Sequence, residues 1–122
     1  MDLVDKITQD VAEQELIESS ELNVLQDVLS SAIEVTHNNS IMLTSERWLA
    51  VGVHLLAVIR RVRNNENLPP IDQTILQQVC PDMLKLSRQV LDKLIVGVEN
   101  DDTEVLLLAV HFEAAKVSES SK

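Results

Sequence analysis

The chain is poor in the residues that build tight turns, disulfides and aromatic cores. Its 122 residues include two glycines, three prolines, one cysteine and two aromatic residues, Trp48 and Phe112. So few glycines and prolines, with no apolar–polar alternation, argue against a turn-rich β fold. Cys80 has no partner for an internal disulfide, and we expect it to pack as a small apolar residue in a reducing compartment. The longest apolar runs, near Trp48–Ile59 and Val105–Val110, are too short to span a bilayer.

Positive charge is also scarce. The formal net charge is −10, and residues 1–36 alone carry −8, while residues 37–70 carry +2 and residues 71–122 carry −4. The basic cluster Arg60, Arg61 and Arg63 has no aromatic neighbour that would stack on bases. Because an acidic surface repels a phosphate backbone, we expect no direct binding of nucleic acid. The acidic first residues lack the pattern of a signal peptide, which predicts a cytoplasmic protein.

Apolar residues recur at helical spacing through most of the chain. Leu3–Val11 and Leu22–Ile33 each form one apolar stripe, whereas Trp48–Val62 is apolar nearly all round, which is typical of a central helix. Residues 36–40 and 64–70 are polar breaks. Apolar residues make up 45% of the chain and charged residues 25%, as in a single globular domain. These features predict an all-α fold, a compact bundle of five or six helices.

Capping residues predict several helix ends. Ser19 or Ser20 would cap the second helix, which would begin at Glu21, and Leu16 and Ile17 would extend the first. The third helix would be capped by Thr44 or Ser45 and run to about Arg63, and a short fourth helix would cover Asp72–Val79. The fifth would have Pro81 in its first turn and end at Gly97. The last would be capped by Asp101 or Asp102 and run to Ala115.

Two histidines lie on strongly apolar helices. They are His54 in WLAVGVHLLAVIRR and His111 in TEVLLLAVHFEAAK. A histidine ring is readily charged, or phosphorylated on nitrogen, near neutral pH. Arg47, His54 and Arg61 are spaced by seven residues and so form one stripe, with about 10 Å between successive Cα atoms. Guanidinium groups suit phosphate because they offer a fixed fork of donors. Glu104 and His111 repeat the seven-residue spacing on the last helix.

Simpler interpretations exist for each of these residues. His54 and His111 would more commonly be core histidines whose nitrogens are satisfied by a backbone carbonyl or a neighbouring side chain. His37 falls in a polar break and is expected to be a solvated loop residue. Cys80 has no histidine near it in sequence, which favours packing over nucleophilic catalysis. The chain has no Gly-rich phosphate loop, CxxC, HExxH or GxSxG motif, and its histidines lack short ligand spacing. We therefore expect no catalytic residue, cofactor or metal.

The two histidine segments resemble the PTS regulation domain, or PRD, of bacterial sugar-operon antiterminators and activators. The family's first motif has a histidine early on a long apolar helix and an arginine seven residues later, as His54 and Arg61 are in HLLAVIRR. Its second motif has an acidic turn and a glutamate before an Ala-x-His step, as in DDTEVLLLAVHFEAA with Glu104 and His111. The intervening NLPPIDQTILQQVCPDMLKLSRQV is similar to the family's loop, short helix and proline-initiated helix. The position before the first histidine, usually aspartate, is Val53.

The resemblance implies a PRD-like domain over residues 22–117, preceded by a helical extension over 1–21 and followed by a flexible tail over 118–122. It implies phosphorylation of His54 and His111, with Arg61, Arg47 and Glu104 supporting the site. The donors would be the phosphocarrier protein or enzyme II components of the sugar phosphotransferase system. A phosphoryl group at a packed helix interface would change the geometry of a homodimer.

The sequence therefore predicts a stand-alone regulatory protein of transcription or antitermination that acts through protein–protein contacts and is not an enzyme. The competing interpretation is a helical interaction or scaffold module whose histidines are purely structural. A small metal-binding enzyme is a third and weaker interpretation.

Overall fold

The computed structural model describes residues 2–92 and 101–120. Within these residues it contains six α-helices and no strand, which confirms the predicted all-α bundle. None of these helices is long and apolar enough to cross a membrane. The helices are α1 (Leu3–Gln14), α2 (Ser19–Asn38), α3 (Ser45–Arg63), α4 (Gln73–Leu76), α5 (Pro81–Leu91) and α6 (Asp102–Ser120).

Most predicted helix starts are found where the capping residues placed them. Thr44 Oγ1 accepts a hydrogen bond from the backbone N–H of Arg47 at the start of α3. Asp101 Oδ1 accepts from two backbone N–H groups in the first turn of α6. Pro81 is the first residue of α5, where a missing N–H costs nothing. Each of these residues satisfies or removes a donor that a helix start leaves without a partner.

Several helix limits differ from the prediction. Leu16 and Ile17 do not extend α1, because Glu15 is already in an extended conformation, and the side chain of Leu16 is 88% exposed. Glu18 rather than a serine caps α2, in a reciprocal capping box with Glu21. The short α4 is one turn long rather than the predicted Asp72–Val79. After Leu76 the backbone N–H groups of Gln78 and Val79 bond to carbonyls three residues back, so the chain continues in tight turns rather than in an α-helix.

At the C-terminal side, α6 continues to Ser120 instead of ending at Ala115. The prediction that α5 includes Leu94 and Ile95 and ends at Gly97 lies outside the described residues.

The central helix of the bundle is α3. It packs against α1, α2 and α6, while α5 packs against α2 and α6. Gly52 allows α1 to approach α3 closely, since a Cβ atom added there would lie 2.7 Å from Val11 Cγ2 and 3.1 Å from Ile7 Cγ2. The core is aliphatic apart from Phe112 and Trp48, and its largest fully buried side chains include Leu25, Leu29, Leu55, Leu56, Leu91 and Leu108.

Candidate functional site

His54 and His111 face each other across the contact between α3 and α6. Their ring centroids are 6.3 Å apart, and the ring planes are tilted by 47°. Seven residues further along α3, Arg61 Nε and Nη2 donate to Glu104 Oε2 and Oε1, both at 2.8 Å. These two contacts define an antiparallel register between α3 and α6, in which His54 lies opposite His111 and Arg61 lies opposite Glu104. We call these four residues together with Arg47 the histidine seam.

The ion pair at one end of the seam is largely removed from solvent. The side chain of Glu104 is 4% exposed and that of Arg61 is 19% exposed. The hydrogen bond from Arg61 to Glu104 is the largest cause of the raised pKa of Arg61. A bidentate, charge-assisted pair of this kind fixes both position and orientation. It therefore holds the first turn of α6 on the last turn of α3.

Both seam histidines are kept neutral at physiological pH. Burial lowers the pKa of His54 from 6.5 to about 4, and the charge that His111 would carry if protonated and the charge of Arg61 act in the same direction. A hydrogen bond with the backbone of Glu104 opposes this shift. Burial also lowers the pKa of His111, followed by the charge of Arg47. A neutral imidazole has a nitrogen lone pair, so each ring is in its nucleophilic form.

One nitrogen of each ring has no hydrogen-bond partner. His54 Nε2 and His111 Nδ1 are both buried and unpaired, whereas buried polar atoms in proteins are nearly always paired. A purely structural histidine would be expected to use such a nitrogen. Each ring as a whole is half-buried rather than sealed in the core. The seam thus combines neutral rings, unsatisfied nitrogens and two nearby guanidinium groups.

Side-chain contacts on the other faces of α6 fix its position. The hydroxyl of Thr103 donates to the carbonyl of Pro69 at 2.9 Å, and that of Ser87 donates to the carbonyl of Val105 at 2.8 Å. Glu113 Oε1 accepts from the backbone N–H at the start of α5. These bonds anchor α6 to the 64–72 loop and to α5, and so set its register on α3.

The structure brings four of the five predicted site residues into direct pairs. His54 lies near His111, and Arg61 binds Glu104. Arg47 lies at the other end of the seam, and its charge acts on His111, although the sequence grouped it with His54. The sequence also placed Glu104 beside His111, whereas its carboxylate contacts Arg61 and its backbone contacts His54.

Sequence reasoning missed the meeting of the two histidines. The signal was present, because Arg61 and Glu104 carry opposite charges at the same seven-residue distance from His54 and His111. It also missed the role of Arg60, which donates to Glu21 at 2.8 Å and to the carbonyl of Leu16. Part of the basic cluster therefore joins α3 to the α1–α2 connection.

The remaining candidates lie away from the seam. His37 is exposed as predicted, but it lies in the last turn of α2 rather than in a loop. Cys80 is half-buried, packs against the core and occupies the position before α5. In the part of the chain that the structure describes, no three metal-ligating side chains come together.

The fold and the seam define an all-helical domain with a pair of opposed, neutral histidines. A family model described as the PRD domain matches residues 26–115. The chain therefore belongs to the PRD family, a family of regulatory domains. The crystal structure of a PRD-containing transcription regulator from Lactobacillus casei is similar, with a TM-score of 0.75 and 22% identity. The match covers 96% of this chain and 97% of that one, and so shows a common fold. No curated protein matches the chain.

Proposed function

We propose that this chain is a regulatory domain of bacterial sugar-uptake gene control that works in the cytoplasm. His54 and His111 accept phosphoryl groups from the phosphocarrier protein or an enzyme II component of the phosphotransferase system. The domain then acts on transcription or antitermination through protein–protein contacts, without binding nucleic acid itself. The observation that carries the proposal is the pairing of two neutral histidines, each with a buried and unpaired nitrogen.

The chemistry of the seam supports this role. Phosphoryl transfer to histidine requires a neutral ring, and the pKa values of His54 and His111 are lowered. The product adds up to two negative charges and strong hydrogen-bond acceptors. Arg47 and Arg61 are the cations of the seam that would bind it. A phosphoryl group between α3 and α6 would alter their packing, because the two rings are already close.

At Val53, where the family usually has an aspartate, no carboxylate orients the first histidine, and the contact to His54 comes from the backbone of Glu104 instead. Val53 lines a groove beside Arg60 and Arg61 and has no acidic group to orient the ring. Glu104, on α6, bonds to His54 through its backbone and to Arg61 through its side chain. We infer that Glu104 on α6 helps to position the His54 ring, since α3 has no acidic residue next to it.

Labelling with a phosphorylated donor tests the proposal. We expect acid-labile phosphate from the phosphocarrier protein or an enzyme II component to map to His54, His111 or both. Replacing both seam histidines by alanine should abolish the label, because no other described histidine lies in a comparable site. The matched control is His37→Ala, which changes an exposed histidine and should retain full labelling. Label that persists after loss of both seam histidines would contradict the assignment.

A second function, a helical scaffold with structural histidines, has one observation in its favour. His54 is partly satisfied by its hydrogen bond with the backbone of Glu104, as expected for a packed histidine. If no donor labels the protein, this interpretation replaces the first.

We also propose that the domain forms a homodimer through the side of the seam that faces solvent. Leu107 and Val110, which flank His111 on α6, are 40% and 45% exposed. Ala50 and Ala57 are half-buried on α3, on either side of His54 along the chain. A second copy covering this apolar surface would place both histidine pairs at the interface, where added phosphate would alter the dimer.

The dimer has a direct test in sedimentation velocity at increasing concentration. We expect a monomer–dimer equilibrium that shifts to monomer when Val110 is replaced by lysine, because the charge would be buried in the contact. Ile75→Lys is the matched control, since Ile75 is 46% exposed on α4, away from the seam. A wild-type protein that stays monomeric at high concentration would contradict the prediction.

A further inference from the structure

The two seam histidines differ in the cation that is available to each. Arg61, whose charge acts on His54, has two of its N–H groups on the Glu104 carboxylate, both at 2.8 Å. Arg47 is half-buried and has no ion pair among the described residues. Its positive charge acts on His111. The cation that acts on His54 is therefore already paired with a carboxylate, whereas the cation that acts on His111 is not.

This difference affects how well each site could bind a phosphoryl group, because a guanidinium has few N–H donors and those bonded to a carboxylate are already in use. A phosphate on His54 would have to share or replace the carboxylate on the Nε–Nη2 edge of Arg61. Glu104 is 4% exposed and lies on the same side of the seam, so its negative charge would also repel the phosphate. A phosphate on His111 meets no such competitor at Arg47, since the antiparallel register places Arg47 at the opposite end from Glu104.

We propose that Glu104 is a specificity-determining residue, which directs phosphorylation to His111 by occupying Arg61. The inference rests on the proposed function and adds to it the order in which the two sites are used. In the transfer, the N–P bond of a phosphohistidine donor breaks as an N–P bond to the His111 ring forms. The proton lost by the His111 ring replaces the one that the donor ring needs, so no oxidant or further reactant is required. His54 becomes a good acceptor only when Glu104 leaves Arg61.

The test compares the distribution of label between the two histidines in wild-type protein and in Glu104→Gln. Label is mapped by mass spectrometry of peptides kept at alkaline pH. We expect His111 to carry most of the label in the wild-type protein. Glutamine keeps the size of the side chain but removes the charge, and the ratio of label at His54 to label at His111 should rise about tenfold. Glu34→Gln, an exposed change on α2, is the matched control and should leave the ratio unchanged.

A second variant keeps the test independent of any folding defect in Glu104→Gln. Arg47→Met leaves the Arg61–Glu104 pair intact, and we expect it to lower labelling of His111 about tenfold while labelling of His54 is retained. Circular dichroism would check that both variants keep the helical content of the wild-type protein. Predominant labelling of His54 in the wild-type protein, or an unchanged ratio in both variants, would overturn the inference and leave the proposed function standing. Absence of label at both histidines in the wild-type protein would instead overturn the proposed function.

Discussion

Replacing Arg61 by methionine should lower the free energy of unfolding by about 3 kcal/mol, because the change leaves the carboxylate of Glu104 without its partner. That carboxylate is 4% exposed, and removing one partner of a buried ion pair typically costs about 3–5 kcal/mol. Urea unfolding at pH 7 followed by circular dichroism measures the effect.

Two further variants show whether the loss comes from the unpaired charge. Arg61→Met combined with Glu104→Leu removes both charges, and we expect it to recover most of the lost stability. Lys6→Met breaks an exposed ion pair with Asp10, at 3.5 Å, and should cost less than about 0.5 kcal/mol. A loss for Arg61→Met no larger than that for Lys6→Met would show that the pair does not hold α6 on α3.

Lowering the pH from 7 to 5 should reduce the free energy of unfolding by about 2 kcal/mol through His54. The pKa of His54 is about 4 in the folded protein, against an ordinary value of 6.5 for an unfolded chain. Between these values the unfolded chain binds a proton that the folded chain does not. This contribution to stability is complete above pH 6.5 and is lost as the pH falls towards 4. The lowered pKa of His111 adds a change in the same direction.

The measurement is a series of urea unfolding curves between pH 7 and pH 5. His54→Gln removes the titrating ring, and the variant should lose much of the pH dependence. His37→Gln is the control, because His37 is exposed on the last turn of α2, and its curves should follow those of the wild-type protein. Equal pH dependence in all three proteins would rule out His54 as the source.

The helical content and most helix starts could be predicted from the sequence because they depend on local features. Thr44, Asp101 and Pro81 act on neighbouring backbone groups, and their residue types alone indicate the cap. The apolar character of Leu16 predicts that it lies in a helix, but the extended backbone at Glu15 leaves its side chain in solvent. Apolar character indicates burial only on average, and tertiary packing decides the particular case.

The candidate residues of the site could also be predicted, but not their partners. Spacing along one helix shows which residues share a face, and it correctly grouped His54 with Arg61. It contains no information on the register between α3 and α6, which is set by contacts such as that of Thr103 with Pro69. For this reason the sequence pairs Glu104 with His111, seven residues away, although the carboxylate of Glu104 is bound to Arg61.

The separation of the seam residues along the chain has a consequence for signalling. His54 and His111 are 57 residues apart, and Arg61 and Glu104 are 43 apart, so each pair forms only after a long loop has closed. In an unfolded or incompletely synthesised chain, the imidazoles are solvated, have ordinary basicity and have no adjacent guanidinium. On the proposed function, the opposed rings and the adjacent guanidinium groups are then present together only in molecules that have finished folding.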